Sequence, residues 1–151
     1  MIRGVSFKIP QISGNVLWQM LKCIDVKKYN WYNIINQCEV WQNYNGEVSF
    51  EKEYYDGKRF LQNIMSEYYI IFLKLQAYFN NGKFSTIHTY KDFQESDCQL
   101  LLLIYDCEYV DIYSKDITDL NLLYENALKN NYTETGYITE NNDGRTKMDI
   151  L

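Results

Sequence analysis

The segment Ser96-Asp-Cys-Gln-Leu-Leu-Leu-Leu-Ile-Tyr-Asp-Cys-Glu-Tyr-Val-Asp-Ile-Tyr-Ser-Lys-Asp116 reads as a buried strand, a tight turn, a second strand and the cap of a helix. Leu100 to Tyr105 is apolar along its whole length, so both faces of that strand require cover. In its partner, Val110 and Ile112 fall on one face, and Tyr109, Asp111 and Tyr113 on the other. Asp116 suits an N-cap, because its short carboxylate can accept from the first free backbone N–H groups. Ile117, Leu120, Leu123, Ala127 and Leu128 then form the apolar stripe of a helix that ends at Lys129-Asn130.

Upstream, Val5, Phe7 and Ile9 alternate with Ser6 and Lys8, which predicts a strand over Arg3 to Ile9, ended by Pro10. Ser13 is placed to cap a helix through about Cys23, with Leu17, Met20, Leu21 and Ile24 on its buried stripe. Short strands are expected around Trp31 to Ile35 and over Cys38 to Trp41. A turn follows at Asn43-Tyr44-Asn45-Gly46, where Asn and Gly accept positive φ. Val48 and Phe50 begin a further short strand, and Glu51 to Tyr55 reads as a loop or sheet edge. Asp56 caps a short helix carrying Phe60, Leu61, Ile64 and Met65. Leu73, Leu75, Ala77 and Phe79 alternate with Lys74, Gln76 and Tyr78, so Tyr68 to Phe79 reads as a long strand; a continuous helix from Lys58 to Phe79 is the competing reading. Residues 83–95 read as a loop with one helical turn near Tyr90 to Phe93. Tyr137 to Thr139 and Arg145 to Leu151 are expected to form a hairpin about Asp143-Gly144.

The length of 151 residues suits a single domain over 1–151, and the composition is that of a folded chain, 46% hydrophobic and 23% charged. Fifteen tyrosines are the unusual feature; tyrosine serves half-buried strand positions and also recognition surfaces. With a net charge of −5 and only scattered Lys and Arg, the chain is a poor nucleic-acid binder. No apolar run approaches the ~20 residues of a membrane span, and the opening residues lack the apolar core of a signal peptide. A cytoplasmic location is expected. Cys23, Cys38, Cys98 and Cys107 are then free thiols, and their spacing contains no zinc-type pair.

The order of motifs resembles a small bacterial family of unknown function, DUF2691. The matching pieces are Arg3-Gly4-Val5-Ser6-Phe7 with Ile9-Pro10, Ile24-Asp25-Val26 with Tyr29-Asn30-Trp31, and Tyr68-Tyr69-Ile70-Ile71-Phe72. They continue with Ser96-Asp97-Cys98, Val110 to Asp116, and Tyr137-Ile138-Thr139 with Asp143-Gly144-Arg145-Thr146. The ending Met148-Asp149-Ile150-Leu151 differs from the family's aromatic-ended tail, and the Trp41 to Tyr54 segment does not align. The resemblance implies a single domain with these elements and no catalytic residue.

Candidate chemistry is sparse. His88 is the single histidine, and Cys98 ten residues on makes a thiol–imidazole pair geometrically conceivable; an exposed histidine beside a small buried thiol is the plainer reading. Asp92, Glu95, Asp97, Asp106, Glu108, Asp111, Asp116 and Asp119 surround the central hairpin, where turn, cap and solvated-face roles account for most of them without a metal. There is no glycine-rich phosphate loop. Arg145 and Lys147 beside the Asp143-Gly144 turn could hold an anion, with Tyr137 nearby.

These readings predict an α+β fold: a single domain with a mixed, mostly antiparallel sheet and two main helices, 14–23 and 117–129, packed on it. The expected function is a non-enzymatic cytoplasmic binding or regulatory module that engages a protein partner through an acidic, tyrosine-rich surface. The alternative is a small-ligand protein that binds a nucleotide or other anion through Arg145, Lys147 and Tyr137. No catalytic residue, metal, cofactor, nucleic acid or membrane is expected.

Overall fold

The computed structural model describes residues 1–42, 47–48 and 50–151. The turn expected at Asn43-Tyr44-Asn45-Gly46 lies outside the described residues. Among the described residues nine strands form one sheet: β1 (Ile2–Lys8), β2 (Asn30–Asn33), β3 (Glu39–Gln42), β4 (Glu47–Val48), β5 (Tyr54–Tyr55), β6 (Tyr69–Tyr78), β7 (Cys98–Tyr105), β8 (Tyr109–Ser114) and β9 (Thr133–Thr139). The helices are α1 (Val16–Leu21), α2 (Gly57–Ile64), α3 (Tyr90–Glu95) and α4 (Ile117–Lys129). The fold is α+β, as expected, and every strand pair among the described residues is antiparallel.

The sheet runs β4-β3-β6-β7-β8-β1-β9, with β2 joined to the second half of β6 and β5 joined to β2. β6 is the long strand that alternation predicted, and the continuous helix is excluded. Its first half pairs with β3 and its second with β2. Between β2 and β3 the chain makes a 3-10 turn over Ile35–Gln37, so the two strands are one interrupted line along the same neighbour. The turn holds Gln37 above the middle of β6.

β7 is covered on both faces. Leu100, Leu102 and Ile104 join Leu17, Met20, Phe60, Leu120 and Leu123 in the core beneath the helices. Leu101 and Leu103 join Tyr78, Ile87, Phe93, Tyr113 and Met148 in a second cluster on the opposite face. Each fully buried leucine contributes about 1.5–3 kcal/mol. The second cover is built from α3, the loop before it and the last residues of the sequence. α2 supplies a third helix to the first cover, where the Phe60 ring stacks on Trp31 at 4.1 Å.

Two expectations are corrected. Ser13 does not cap α1: Gly14 is tied by its backbone to Tyr68 (3.0 and 3.1 Å), and Asn15 occupies the cap position without a side-chain bond to the helix backbone. The Tyr68 hydroxyl takes over that role, accepting from Leu17 N at 2.9 Å while donating to Ile64 O at 2.8 Å. A residue 51 positions away, just ahead of β6, thus supplies the partner that a local serine was expected to supply. The Asp143-Gly144 hairpin does not form either. β9 pairs with β1, Asp143 N folds back onto Thr139 O at 2.9 Å, and Arg145 to Leu151 crosses the second face of the sheet without strand structure. The other caps stand as read: Asp56 accepts from Arg59 N, and Asp116 accepts from Thr118 N and Asp119 N.

Tyr68→Phe removes one hydroxyl and strands two buried backbone groups, so it should lower unfolding free energy by about 2 kcal/mol in urea titration. A loss below about 0.5 kcal/mol would show that the hydroxyl is not the cap of α1.

Candidate functional site

The last residues of the sequence lie across the outer face of β6, β7 and β8 and leave an open groove of about 800 Å³ beside them, lined in part by Phe72, Tyr105, Asp106, Tyr113, Lys147 and Ile150. Arg145 also lines it. Its Nε and Nη2 donate to Asp111 Oδ2 at 3.3 and 2.8 Å, Nη1 donates to Lys147 O at 3.1 Å, and the guanidinium lies 5.1 Å from the Tyr105 ring centre. Alongside, Asp143 accepts from Arg3 Nη1 at 3.2 Å and from the Tyr113 hydroxyl at 3.1 Å. Burial, reinforced by the charges of Asp143 and Asp111, pushes the Tyr113 phenol far above its ordinary pKa. The arginines here are held by carboxylates already present.

Lys147 is exposed at the groove and forms no ion pair among the described residues. Tyr137 is not brought to it by its ring. On β9 it faces α4, stacked on Tyr124 at 4.3 Å, with its hydroxyl donating to Asn121 Oδ1 at 2.9 Å. All three expected ligand residues line the groove, but the Tyr137 ring and hydroxyl are engaged by α4.

His88 and Cys98 do not form a pair. Cys98 is fully buried at the start of β7, its Sγ directed to Leu100 O at 3.2 Å, and burial pushes its thiol up to about 12. Burial also pushes Cys23 and Cys38 up to about 11. All four cysteines are free. The acidic residues of the hairpin are distributed among separate tasks: Asp92 closes the capping box of α3, Asp97 accepts from Lys83 N, Glu108 pairs with Lys8, and Asp119 accepts from Lys28 and Tyr29. Among the described residues no group of three His, Cys, Asp or Glu side chains could hold a metal.

The constellation that sequence reading missed sits at the other end of the closing segment. Lys74 is buried in the middle of β6, and its ammonium donates to Ile87 O at 2.6 Å and to Asp149 Oδ1 at 2.9 Å. Gln37 Nε2 donates to the same carboxylate at 2.9 Å, and His88 Nδ1 lies 2.9 Å from its second oxygen. Alternation had placed Lys74 and Gln76 on a polar face. That face is covered, and only the presence of a lysine inside a largely apolar strand carried the signal.

Burial pushes the Asp149 carboxyl up, but the bonds from Lys74, Gln37 and His88 and the Lys74 charge outweigh it and hold the pKa down at about 2. No helix of the described residues is long and apolar enough to cross a membrane.

The model of the family described as "Protein of unknown function (DUF2691)" matches residues 2–149. A relative from Bacillus subtilis (strain 168), "Uncharacterized protein YncE", is 36% identical over 156 residues, which cover 99% of this chain and 100% of the relative. No solved structure matches the chain.

The Asp149 folded pKa lies below the unfolded value near ~3.9. Its stabilisation is therefore complete above that value and is lost as pH falls through about 2. Asp149→Asn should cost about 3 kcal/mol at pH 7, since it leaves Lys74 buried without a counter-charge. Urea titrations at a series of pH values should show the gap between variant and parent closing over that acid range; a gap independent of pH would contradict the ion pair.

Proposed function

The chain belongs to the DUF2691 family, whose function is unknown, and from that footing we propose that it is a non-enzymatic cytoplasmic binding module that engages a protein partner through an acidic, tyrosine-rich surface. The observation that carries this reading is a set of touching aromatic rings at the β2–β5 edge. Tyr32 contacts Tyr54 at 5.2 Å and Phe84 at 4.7 Å. Tyr54 and Phe84 remain 45% and 38% exposed although they are large and apolar. Rings grouped in this way keep apolar area in water that a partner could cover, and aromatic residues are the side chains that most often anchor protein interfaces. Exposed Glu51, Glu53 and Asp56 flank them on the adjoining chain. With a net charge of −5, the surface suits a partner that presents basic side chains. Four free thiols agree with a reducing compartment.

A small anion in the groove is the second reading. The exposed Lys147 favours it, and the engagement of Arg145 by Asp111 opposes it, because an anion would have to displace a carboxylate already bonded twice.

In pull-downs from a lysate of the native host at physiological salt, the parent chain should retain a partner that Tyr54→Ser/Phe84→Ser loses by more than tenfold. Equal capture by both chains, or capture by neither, would refute the aromatic edge as the contact. A thermal-shift panel of nucleotides and inorganic phosphate addresses the second reading: a ligand at ~100 times its Kd adds ~2.7 kcal/mol, and an unmoved melting temperature across the panel excludes it.

A further inference from the structure

Met148, Asp149 and Ile150 are held by residues that read a peptide rather than a lone side chain. The Met148 N–H donates to His88 O at 2.8 Å and the Ile150 N–H donates to Gln37 Oε1 at 2.6 Å. Between them, the Asp149 carboxylate meets Lys74 Nζ, Gln37 Nε2 and His88 Nδ1, each at 2.9 Å. Gln37 therefore contacts the aspartate with its amide nitrogen and the next residue's backbone with its amide oxygen, while His88 contacts the aspartate with its ring and the preceding backbone with its carbonyl. The Met148 side chain fills a place in the second apolar cluster and is 1% exposed. The receiving groups are anchored independently of the segment they hold: Lys74 in β6, Gln37 on the 3-10 turn between β2 and β3, and His88 just before the capped start of α3. The segment has no strand or helix of its own.

We propose that Gln37, Lys74 and His88 form a receptor for an aspartate flanked by apolar residues, filled here by the chain's own Met148-Asp149-Ile150, and that the same segment of a second copy of this chain can fill it in exchange. The chemistry favours that occupant because a second copy presents the same methionine peg, carboxylate and two N–H groups in the same order. Exchange requires that residues 140–144, which lie outside the strands, change course, with loss of the bonds Asp143 receives from Arg3 and Tyr113. Every contact of the segment beyond that hinge is replaced by the same contact made between copies, which is the condition under which two chains swap a segment at low cost. In one chain the segment is tethered at high effective concentration, so the closed single chain predominates when dilute. The inference is independent of the aromatic edge.

Two complementary variants test it. Asp149→Ala retains the receptor and spoils the segment, whereas Lys74→Met retains the segment and spoils the receptor. Each alone should elute as a single chain, and an equimolar mixture at high concentration should yield a species of twice the mass containing one of each. A labelled synthetic peptide, Thr-Lys-Met-Asp-Ile-Leu, should bind Asp149→Ala at least tenfold more tightly than it binds the parent, whose own segment competes. The same peptide with Asn for Asp should bind Asp149→Ala at least tenfold more weakly than the Asp form. Absence of both the mixed species and the peptide binding overturns the proposal, as does binding indifferent to the Asp→Asn change. If Asp149→Ala fails to fold by circular dichroism, and added peptide does not restore the fold, the segment is a fixed part of the core and the proposal is likewise overturned.

Discussion

Leu101 and Leu103 point away from α1, α2 and α4, and both are fully buried. Antiparallel sheets commonly leave one face to water, but a central strand apolar on both sides cannot. Three helices supply the first cover. The second comes from α3, the loop before it and the closing segment, elements with few backbone bonds of their own. Such pieces need fixed points, and the sheet supplies them: Lys74 receives Asp149, Asp111 receives Arg145, and Tyr113 with Arg3 receives Asp143. The polar chemistry of this face follows from the need to hold irregular chain against an apolar surface.

That ordering explains which parts of the structure were legible in the sequence. Leu100 to Tyr105, the Asp116 cap and the Leu120, Leu123 and Ala127 part of the α4 stripe depend on neighbours within a few residues and stand as read, whereas Ile117 and Leu128 at the two ends of the stripe are exposed. The strand assignment of β6 likewise rested on local alternation. What escaped were the contacts made across the chain. Ser13 has the chemistry of a cap, but the backbone pairing of Gly14 with Tyr68 commits the entry to α1 and leaves the Tyr68 hydroxyl in the capping place. Alternation set Lys74 and Gln76 opposite the apolar residues of the strand, but it records polarity alone, while cover is decided by segments 75 residues away in one case and 9 in the other. The chain turns at residues 140–142, just ahead of Asp143-Gly144, and the turn signal there did not state which strand β9 would pair with.

The candidate site was legible to a lesser degree. Arg145 and Lys147 do lie in a groove, yet a cation's meaning depends on its neighbours. Arg145 is engaged by Asp111 and set beside Tyr105, so its charge is largely spent within the fold. The tyrosine surplus divides between two uses. Tyr29, Tyr68, Tyr78 and Tyr113 are buried with their hydroxyls bonded, and Tyr32 and Tyr54 form the open edge. Counting tyrosines could not separate these roles, because the ring serves equally well as core and as contact surface.

The buried Lys74–Asp149 pair is a poor device for stability alone. Removing an ammonium and a carboxylate from water costs several kcal/mol per ion, and an apolar pair of similar volume often does as well. Its value lies in discrimination. A methionine peg could settle in an apolar cluster in several registers, whereas a buried ammonium accepts only the register that delivers a carboxylate. Gln37 and His88 narrow it further by bonding the backbone on either side of Asp149. The same requirement that fixes the chain's own segment would select an incoming one, so a contact that serves as a lock within one molecule has the specificity of a recognition site between two.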